Sequence, residues 1–101
     1  MEERYRLIMS TIFRALGFRV EVERMLATGR IDMIVEVPSY IYVMELKLSN
    51  NGGISAAESQ IKEKRYTEPF KADKRKIIAL AVELDETGKG LIDWKEVDES
   101  L

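Results

Sequence analysis

Two acidic residues stand at a spacing that could support metal-dependent chemistry. Two segments rich in Ile, Val and Tyr, residues 30–37 and 40–49, are typical of the strands of a β-hairpin. A turn centred between them places Asp32 directly opposite Glu45, with the two Cα atoms roughly 4.5–5.5 Å apart. Like charges in facing positions destabilise a hairpin unless something offsets them. A divalent cation bound by both carboxylates would do so, and oxygen ligands suit Mg²⁺ or Mn²⁺.

Lys47 belongs to the same predicted face of the hairpin. It follows Glu45 by two residues, and strand side chains alternate, so both side chains point the same way. Ile41 and Val43 share that face, which predicts a covered and partly dry site. An ion pair between Lys47 and one of the acids, near the sheet surface, is an equally good interpretation, because buried charges are seldom left without partners.

The composition excludes most other catalytic chemistry. The 101 residues include neither histidine nor cysteine. These absences rule out Ser-His-Asp and Cys-His triads, disulfides, redox dithiols and zinc sites of the Cys/His type. Catalysis would have to use carboxylates, lysines, hydroxyls or a hard metal ion bound by oxygen. The length predicts one small domain over residues 1–101, because about 100–150 residues is the commonest domain size.

The predicted elements form an α/β domain in the order helix, three strands, helix, two strands. Alternating charged and apolar residues predict a short strand over residues 19–23, before the hairpin. Ser55 is a candidate N-cap for a second helix over residues 56–66. The apolar run within residues 76–84 predicts a buried strand, and residues 91–97 predict a last one.

The first helix, predicted over residues 2–16, would carry a further acid towards the sheet. At ~100° per residue, Glu2 lies within roughly 50° of the centre of an apolar stripe. A favourable acid at a helix N-terminus is the alternative interpretation of Glu2. Arg6, Ser10 and Arg14 mark the opposite side, which we expect to face solvent. The stripe expected to be buried consists of Tyr5, Ile8, Met9, Ile12, Phe13 and Leu16.

Charge is unevenly distributed along the chain. Residues 62–76 carry seven Lys or Arg and three acids, whereas residues 83–101 carry two Lys and seven acids. A basic strip on a nearly neutral domain could contact phosphates. A solvated helix end and loop is an equally good interpretation. The candidate phosphate-binding residues are Lys62, Lys64, Arg65, Lys71, Lys74, Arg75 and Lys76.

Taken together, these residues resemble the PD-(D/E)XK nuclease superfamily, which includes many restriction endonucleases and archaeal Holliday-junction resolvases. The segment Gly-Arg-Ile-Asp at 29–32 is followed, after twelve residues, by Glu-Leu-Lys at 45–47. The resemblance implies a restriction-endonuclease-like core, with a mixed central sheet flanked by helices, in agreement with the predicted order. It also implies that Asp32 and Glu45 bind Mg²⁺ and that Lys47 assists attack on the phosphodiester.

The same resemblance implies further site residues. Glu2 falls where some members of the superfamily place an acid on the first helix. Gln60 and Tyr66 match a second-helix signature that lies near the metal site and substrate in several subfamilies. The spacing here departs from the stricter Gln-x-x-x-Tyr pattern. A helix-capping or sheet-facing amide and a half-buried aromatic are equally good interpretations of these two residues.

A narrower resemblance covers the chain from about Glu2 to Val97. Segments 16–18, 42–47 and 60–66 are among those similar to a nuclease-like domain at the C-terminus of bacterial proteins. Those proteins carry an N-terminal AAA-type ATPase-like domain. This resemblance implies that the chain is the C-terminal part of a longer protein, with the ATPase-like domain as a partner in the same polypeptide.

The resulting expectation is a Mg²⁺- or Mn²⁺-dependent nuclease that hydrolyses nucleic-acid phosphodiesters, with DNA as the expected substrate. The alternative is a nuclease-fold module with little or no catalysis, which binds nucleic acid or regulates the partner ATPase domain. No apolar run approaches the ~20 residues of a membrane-spanning helix. The N-terminal residues do not resemble a secretory signal. We therefore expect a cytoplasmic location and no membrane partner.

Overall fold

A five-stranded mixed sheet with a helix on each face forms the α/β fold, in a computed structural model that describes residues 1–100. The strands lie in chain order across the sheet, and only β3 and β4 are parallel. A parallel pair requires a crossover connection, which α2 supplies. This arrangement confirms the predicted restriction-endonuclease-like core. The elements are α1 (Glu2–Ala15), β1 (Arg19–Met25), β2 (Arg30–Glu36), β3 (Tyr40–Leu48), α2 (Gly53–Lys64), β4 (Lys76–Leu84) and β5 (Leu91–Val97).

Two apolar layers, one on each face of the sheet, lie between the sheet and the helices. Strand alternation divides the side chains between these layers, as the patterns of β3 and β4 predict. Ile41 and Val43 belong to the layer beneath α2, which confirms that their face of β3 is covered. That layer also includes Ile31, Ile34, Ala57, Ile61, Tyr66, Phe70, Ala79 and Ala81. The layer beneath α1 includes Tyr5, Met33, Val35, Met44, Leu46, Val82 and Leu84.

The predicted buried face of α1 is wrong in part. Arg6 and Ser10, expected to face solvent, are buried, with exposed fractions of 7% and 2%. Ile8, Ile12 and Leu16, expected to be buried, are exposed. The helix is rotated relative to the prediction because the Arg6 guanidinium pairs with an acid on β1, as described below.

The exposed apolar side of α1 follows from how little of the sheet this helix covers. A helix is about 10 Å wide and strands are about 4.8 Å apart, so one helix covers roughly two or three strands. The main contacts of α1 are with β1, β2 and β3. Tyr5 and the half-buried Met9 and Phe13 fill that area. No helix among the described residues is long and apolar enough to span a membrane.

The start of α2 also differs from the prediction. The helix begins at Gly53, after Gly52, which has a left-handed φ of 95°. Ser55 therefore lies inside the first turn and does not cap it. A carboxylate oxygen of Glu83, on β4, instead accepts a hydrogen bond from the Ile54 backbone N–H at 2.9 Å. The cap comes from a distant strand, which local sequence patterns do not indicate.

Tyr5 connects α1 to the turn between β4 and β5. Its hydroxyl donates a hydrogen bond to the Asp85 carbonyl at 2.7 Å and accepts one from the Gly90 N–H at 2.9 Å. The side chain is 8% exposed, so little water is available to replace either bond.

We predict that Tyr5→Phe lowers the free energy of unfolding by roughly 1–3 kcal/mol, because two polar backbone groups lose their partner in a buried place. Denaturant unfolding followed by circular dichroism measures the change. Tyr40→Phe, at an exposed tyrosine, is the control and should leave the midpoint unchanged. Equal stability of the Tyr5 variant and the wild type would contradict this role of the hydroxyl.

Candidate active site

The candidate site lies where β2 and β3 stop pairing. Met33 pairs with Met44 in the register predicted for the hairpin. The ladder ends there, so Asp32 and Glu45 are not the backbone-paired couple that the turn predicts. Instead, the Leu46 backbone N–H donates to Asp32 Oδ2 at 2.9 Å. This bond holds the Asp32 carboxylate against β3, across the gap between the strands.

Asp32 is also without a partner on the β1 side. The neighbours of Asp32 pair regularly with the neighbours of Glu23, whereas these two residues do not pair with each other. Glu23 has a left-handed φ of 54°, which is uncommon for a residue other than glycine. Towards β1, the residues of β2 before and after Asp32 are therefore paired regularly, and Asp32 alone is skipped.

Asp32 and Glu45 form a buried acidic pair. Their exposed fractions are 3% and 2%. Burial raises the pKa of Glu45 above its ordinary value of 4.5, and the nearby Asp32 carboxylate raises it further. Glu45 Oε1 is a buried oxygen without a hydrogen-bond partner among the described residues. Buried polar atoms are normally satisfied, so this oxygen marks a place that suits an electropositive ligand.

Lys47 lies half-buried beside this pair. Its positive charge opposes the rise in the pKa of Glu45. The register places Lys47 next to Glu83 on β4, but the Glu83 carboxylate already accepts hydrogen bonds from Ser49 Oγ and the start of α2. Within residues 1–100, Lys47 forms no ion pair. The simple ion pair considered as an alternative is therefore not what the structure contains.

Glu2 is half-buried at the first residue of α1. Its own burial raises its pKa, and the negative charge of Asp32 raises it further. Lys47, Arg6 and Arg30 lower the pKa. Glu2 is therefore within electrostatic range of the pair. Among the described residues, no group of three or more acids is arranged so that it could hold a metal ion.

The two buried carboxylates fit a divalent cation that keeps much of its water. Mg²⁺ is usually bound through one or two carboxylates together with waters and substrate phosphates, and a closed protein cage is not required. Asp32 and the unpartnered Glu45 Oε1 supply oxygen donors of this kind. These two residues are therefore the ones that could hold Mg²⁺ or Mn²⁺.

Gln60 and Tyr66 approach the acidic pair from the side of α2. Gln60 Nε2 donates a hydrogen bond to the Tyr66 hydroxyl oxygen at 3.0 Å. Tyr66 is fully buried, which raises its pKa, and the charges of Glu45 and Asp32 act in the same direction although the bond from Gln60 opposes it. The tyrosine is therefore more buried than the half-buried aromatic considered as an alternative.

Gly29 explains why the Tyr66 hydroxyl can come so close to the start of β2. A Cβ atom at residue 29 would lie 2.9 Å from the Tyr66 hydroxyl oxygen, which is closer than atoms in van der Waals contact. Any larger residue here would displace the tyrosine or the strand. The glycine of the Gly-Arg-Ile-Asp segment therefore allows α2 and β2 to meet beside Asp32.

The predicted basic strip is not one continuous surface around this site. Lys76 pairs with Tyr40 at the start of β3, whereas Glu45 lies five residues further along that strand, roughly 17 Å away at ~3.3 Å per residue. Lys74 is exposed in the segment before β4, and Arg65 is exposed just after α2. Ion pairs already engage Lys62 with Glu58, Lys71 with Glu68, and Arg75 with Asp73 and Glu36.

Lys64 is the member of this strip that packs beside the start of β2. Its Cγ would lie 3.5 Å from a Cβ on Gly29. Its backbone carbonyl accepts a hydrogen bond from Thr28 Oγ1 at 2.9 Å. The end of α2 and the loop before Asp32 are thus joined, and Lys64 is placed near the candidate site.

The sequence analysis missed Arg6, Glu23 and Arg30. The structure brings these residues together next to Glu2 and Asp32. One available signal was that Arg6 follows Glu2 by four residues, which places both on the same side of a helix. The left-handed backbone of Glu23 carries no sequence signal, because glutamate has no preference for it.

The fold and the sequence match those of a known class of protein. The chain belongs to the PD-(D/E)XK nuclease superfamily, whose family model matches residues 1–94. It is similar to an uncharacterized protein in the vnfD 5′ region of Azotobacter chroococcum mcd 1, with 31% identity over 97 residues. The matched region is 96% of this chain and 18% of that protein, so the chain spans less than a fifth of this relative's length. No solved structure matches the chain.

We predict that the metal-free protein loses stability as the pH rises from about 5 to about 8. The folded state holds a proton on Glu45 that the unfolded chain releases above its ordinary pKa of 4.5, so folding becomes less favourable with increasing pH. Glu45→Gln should remove much of this dependence and should exceed the wild type in unfolding free energy at pH 8 by about 1 kcal/mol or more.

Thermal unfolding in EDTA, measured at both pH values, checks this prediction. Glu63→Gln removes an exposed charge from α2 and is the matched control, which should keep the pH dependence of the wild type. A Glu45 variant that is less stable than the wild type at pH 8 would contradict the assignment of a buried, partly unsatisfied carboxyl group.

Proposed function

We propose that this domain is a nuclease that uses Mg²⁺ or Mn²⁺ to hydrolyse nucleic-acid phosphodiesters, with DNA as substrate. The observation that carries the proposal, for residues 1–100, is the buried and unpartnered Glu45 Oε1 beside Asp32, next to a lysine that forms no ion pair. A purely structural acidic pair would be expected to use Lys47 as its counter-ion. The open arrangement supports a site that receives its charge compensation from outside the chain.

In the proposed mechanism, each residue has a separate task. Asp32 and Glu45 hold the cation, and the Leu46 N–H fixes the Asp32 carboxylate through its hydrogen bond to Oδ2. The cation, when bound, polarises the phosphate and lowers the pKa of a water molecule. Lys47 is a compact positive charge that orients the attacking water or stabilises charge developing on the phosphate. Tyr66 and the other residues of the apolar layer beneath α2 limit the access of water to the acidic pair from the α2 side of the sheet.

We predict that Asp32→Asn, Glu45→Gln and Lys47→Met each lower the rate of cleavage by about 10²–10³-fold, because each removes a charge that acts in the transition state. The assay uses plasmid DNA, single-stranded DNA and RNA, with Mg²⁺, Mn²⁺ or EDTA. Lys76→Met changes a lysine at the far end of the sheet and is the matched control. It should retain the wild-type rate.

Two outcomes of this assay would contradict the proposal. The first is cleavage that persists in EDTA, and the second is cleavage that persists in all three site variants. A protein that binds DNA without cleaving it under any metal condition would favour the alternative function, a nucleic-acid-binding or regulatory module with the nuclease fold.

Lys64 is our candidate for contact with the phosphate backbone close to the site, together with whichever other cations of the strip the nucleic acid reaches. We predict that Lys64→Ala weakens DNA binding and reduces the slope of log K against log salt by about 1, because one phosphate contact is lost. Lys74→Ala, at the distant end of the strip, should change neither quantity. Fluorescence anisotropy in the Asp32→Asn background measures both, and equal losses in the two variants would contradict this placement.

We also propose that the domain functions within a longer polypeptide, as its C-terminal part and in partnership with an AAA-type ATPase-like domain. The greater length of the Azotobacter relative supports a larger protein. The ATPase-like partner is supported by the sequence resemblance alone. A cytoplasmic location is part of the same proposal, since DNA would be reached there.

A further inference from the structure

An ion network of Arg6, Glu23 and Arg30 lies beside the candidate site, and the mechanism proposed above assigns it no role. Arg6 Nη2, on α1, donates to Glu23 Oε1 at 2.8 Å, and Arg30 Nη1, on β2, donates to Glu23 Oε2 at 3.2 Å. Both carboxylate oxygens of Glu23 are therefore engaged, and the network joins α1, β1 and β2. Arg6 is 7% exposed, and arginine is rarely buried to this extent unless it is paired.

The backbone of Glu23 is strained where this network forms. A regular β1 strand would place Glu23 directly opposite Asp32 and on the same face of the sheet. The left-handed φ of 54° breaks that arrangement, and the carboxylate meets Arg6 on the α1 side. Such a conformation persists only where surrounding contacts hold it, and it is concentrated at functional sites.

The network holds the first turn of α1 on the side of Asp32. Arg6 follows Glu2 by one helical turn, so a fixed Arg6 also fixes the direction of Glu2. The first turn has no side-chain cap, and chain ends fray unless they are tied down. Tyr5 ties this turn to the β4–β5 connection on the other side. The ion pairs of Glu23 with Arg6 and Arg30 connect the first turn of α1 to β1 and β2.

We propose that Glu23, through Arg6 and Arg30, is a positioning residue that keeps the Glu2 carboxylate beside Asp32 as a third negative charge for the bound cation. The inference rests on the proposed function and deepens it. Glu23 itself does not touch the cation, because both of its oxygens are occupied by arginines. Its effect must therefore pass through Glu2.

The decisive variant is Glu23→Gly, since glycine adopts the left-handed φ without strain and only the carboxylate is lost. Titration calorimetry measures Mn²⁺ affinity in the wild type, Glu23→Gly, Glu2→Gln and the double variant. Each single change should weaken Mn²⁺ binding about tenfold, at the lower end of the range for outer residues of metal sites. The Mn²⁺ affinity of the double variant should be no lower than that of the single variant with the lower affinity, because both changes remove the same contribution.

Glu36→Gly is the matched control. Glu36 also lies between two arginines, with Arg75 Nη2 at 2.8 Å and Arg19 Nε at 3.7 Å, but at the opposite end of β2. This variant should keep the Mn²⁺ affinity of the wild type even where it loses stability. The proposal would be overturned if Glu23→Gly bound Mn²⁺ with the affinity of the wild type. It would also be overturned if the loss of affinity in the double variant equalled the product of the two single losses.

A second measurement is independent of metal. The Tyr5 backbone N–H makes the first hydrogen bond of α1, to the Met1 carbonyl at 3.1 Å. Its hydrogen exchange in the metal-free protein, followed by NMR, should become at least tenfold faster in Glu23→Gly and not in Glu36→Gly. If the wild type binds no Mn²⁺, the proposed metal site fails, and the exchange rate alone still decides the positioning role: unchanged exchange at Tyr5 overturns it.

Discussion

The cost of holding two carboxylates out of water, side by side, is the constraint on which the rest of this structure depends. An isolated buried carboxylate is strongly unfavourable, and two of them oppose each other as well. The chain offsets only part of this cost. The Leu46 backbone N–H donates a hydrogen bond to Asp32, whereas Glu45 Oε1 has no hydrogen-bond partner within residues 1–100. In the proposed function, a bound cation would supply the positive charge that this pair lacks.

The irregularities of the fold are concentrated around this pair. Pairing of β2 with β3 ends just before Asp32, pairing with β1 is interrupted at Asp32, Glu23 takes a left-handed backbone, and Gly29 permits close approach of the Tyr66 hydroxyl. Elsewhere the strands pair regularly except for a register shift between Glu83 and Leu84 on β4, and the two apolar layers follow strand alternation. This distribution agrees with the general observation that proteins break local rules at functional sites and compensate elsewhere.

The same constraint connects stability and function. Replacing the buried, partly unsatisfied carboxyl group of Glu45 by an amide favours the folded metal-free state above pH 5, while it removes the group that would bind the cation. The arginines around Glu23 show a second form of compensation. They place positive charge near the acids while their own hydrogen bonds go to Glu23 and not to Asp32 or Glu45.

The sequence by itself determined the order of helices and strands, the hairpin register and the superfamily, because these depend on local periodicity and on a short motif. Asp32 and Glu45 came close together as the register predicts, although the ladder ends one residue before them. Only the tertiary structure decided which face of α1 is buried, that Glu83 caps α2, and that the basic strip is divided between the two ends of the sheet. Each of these depends on partners distant in the chain, such as Arg6 with Glu23, and local patterns contain no information about such pairs.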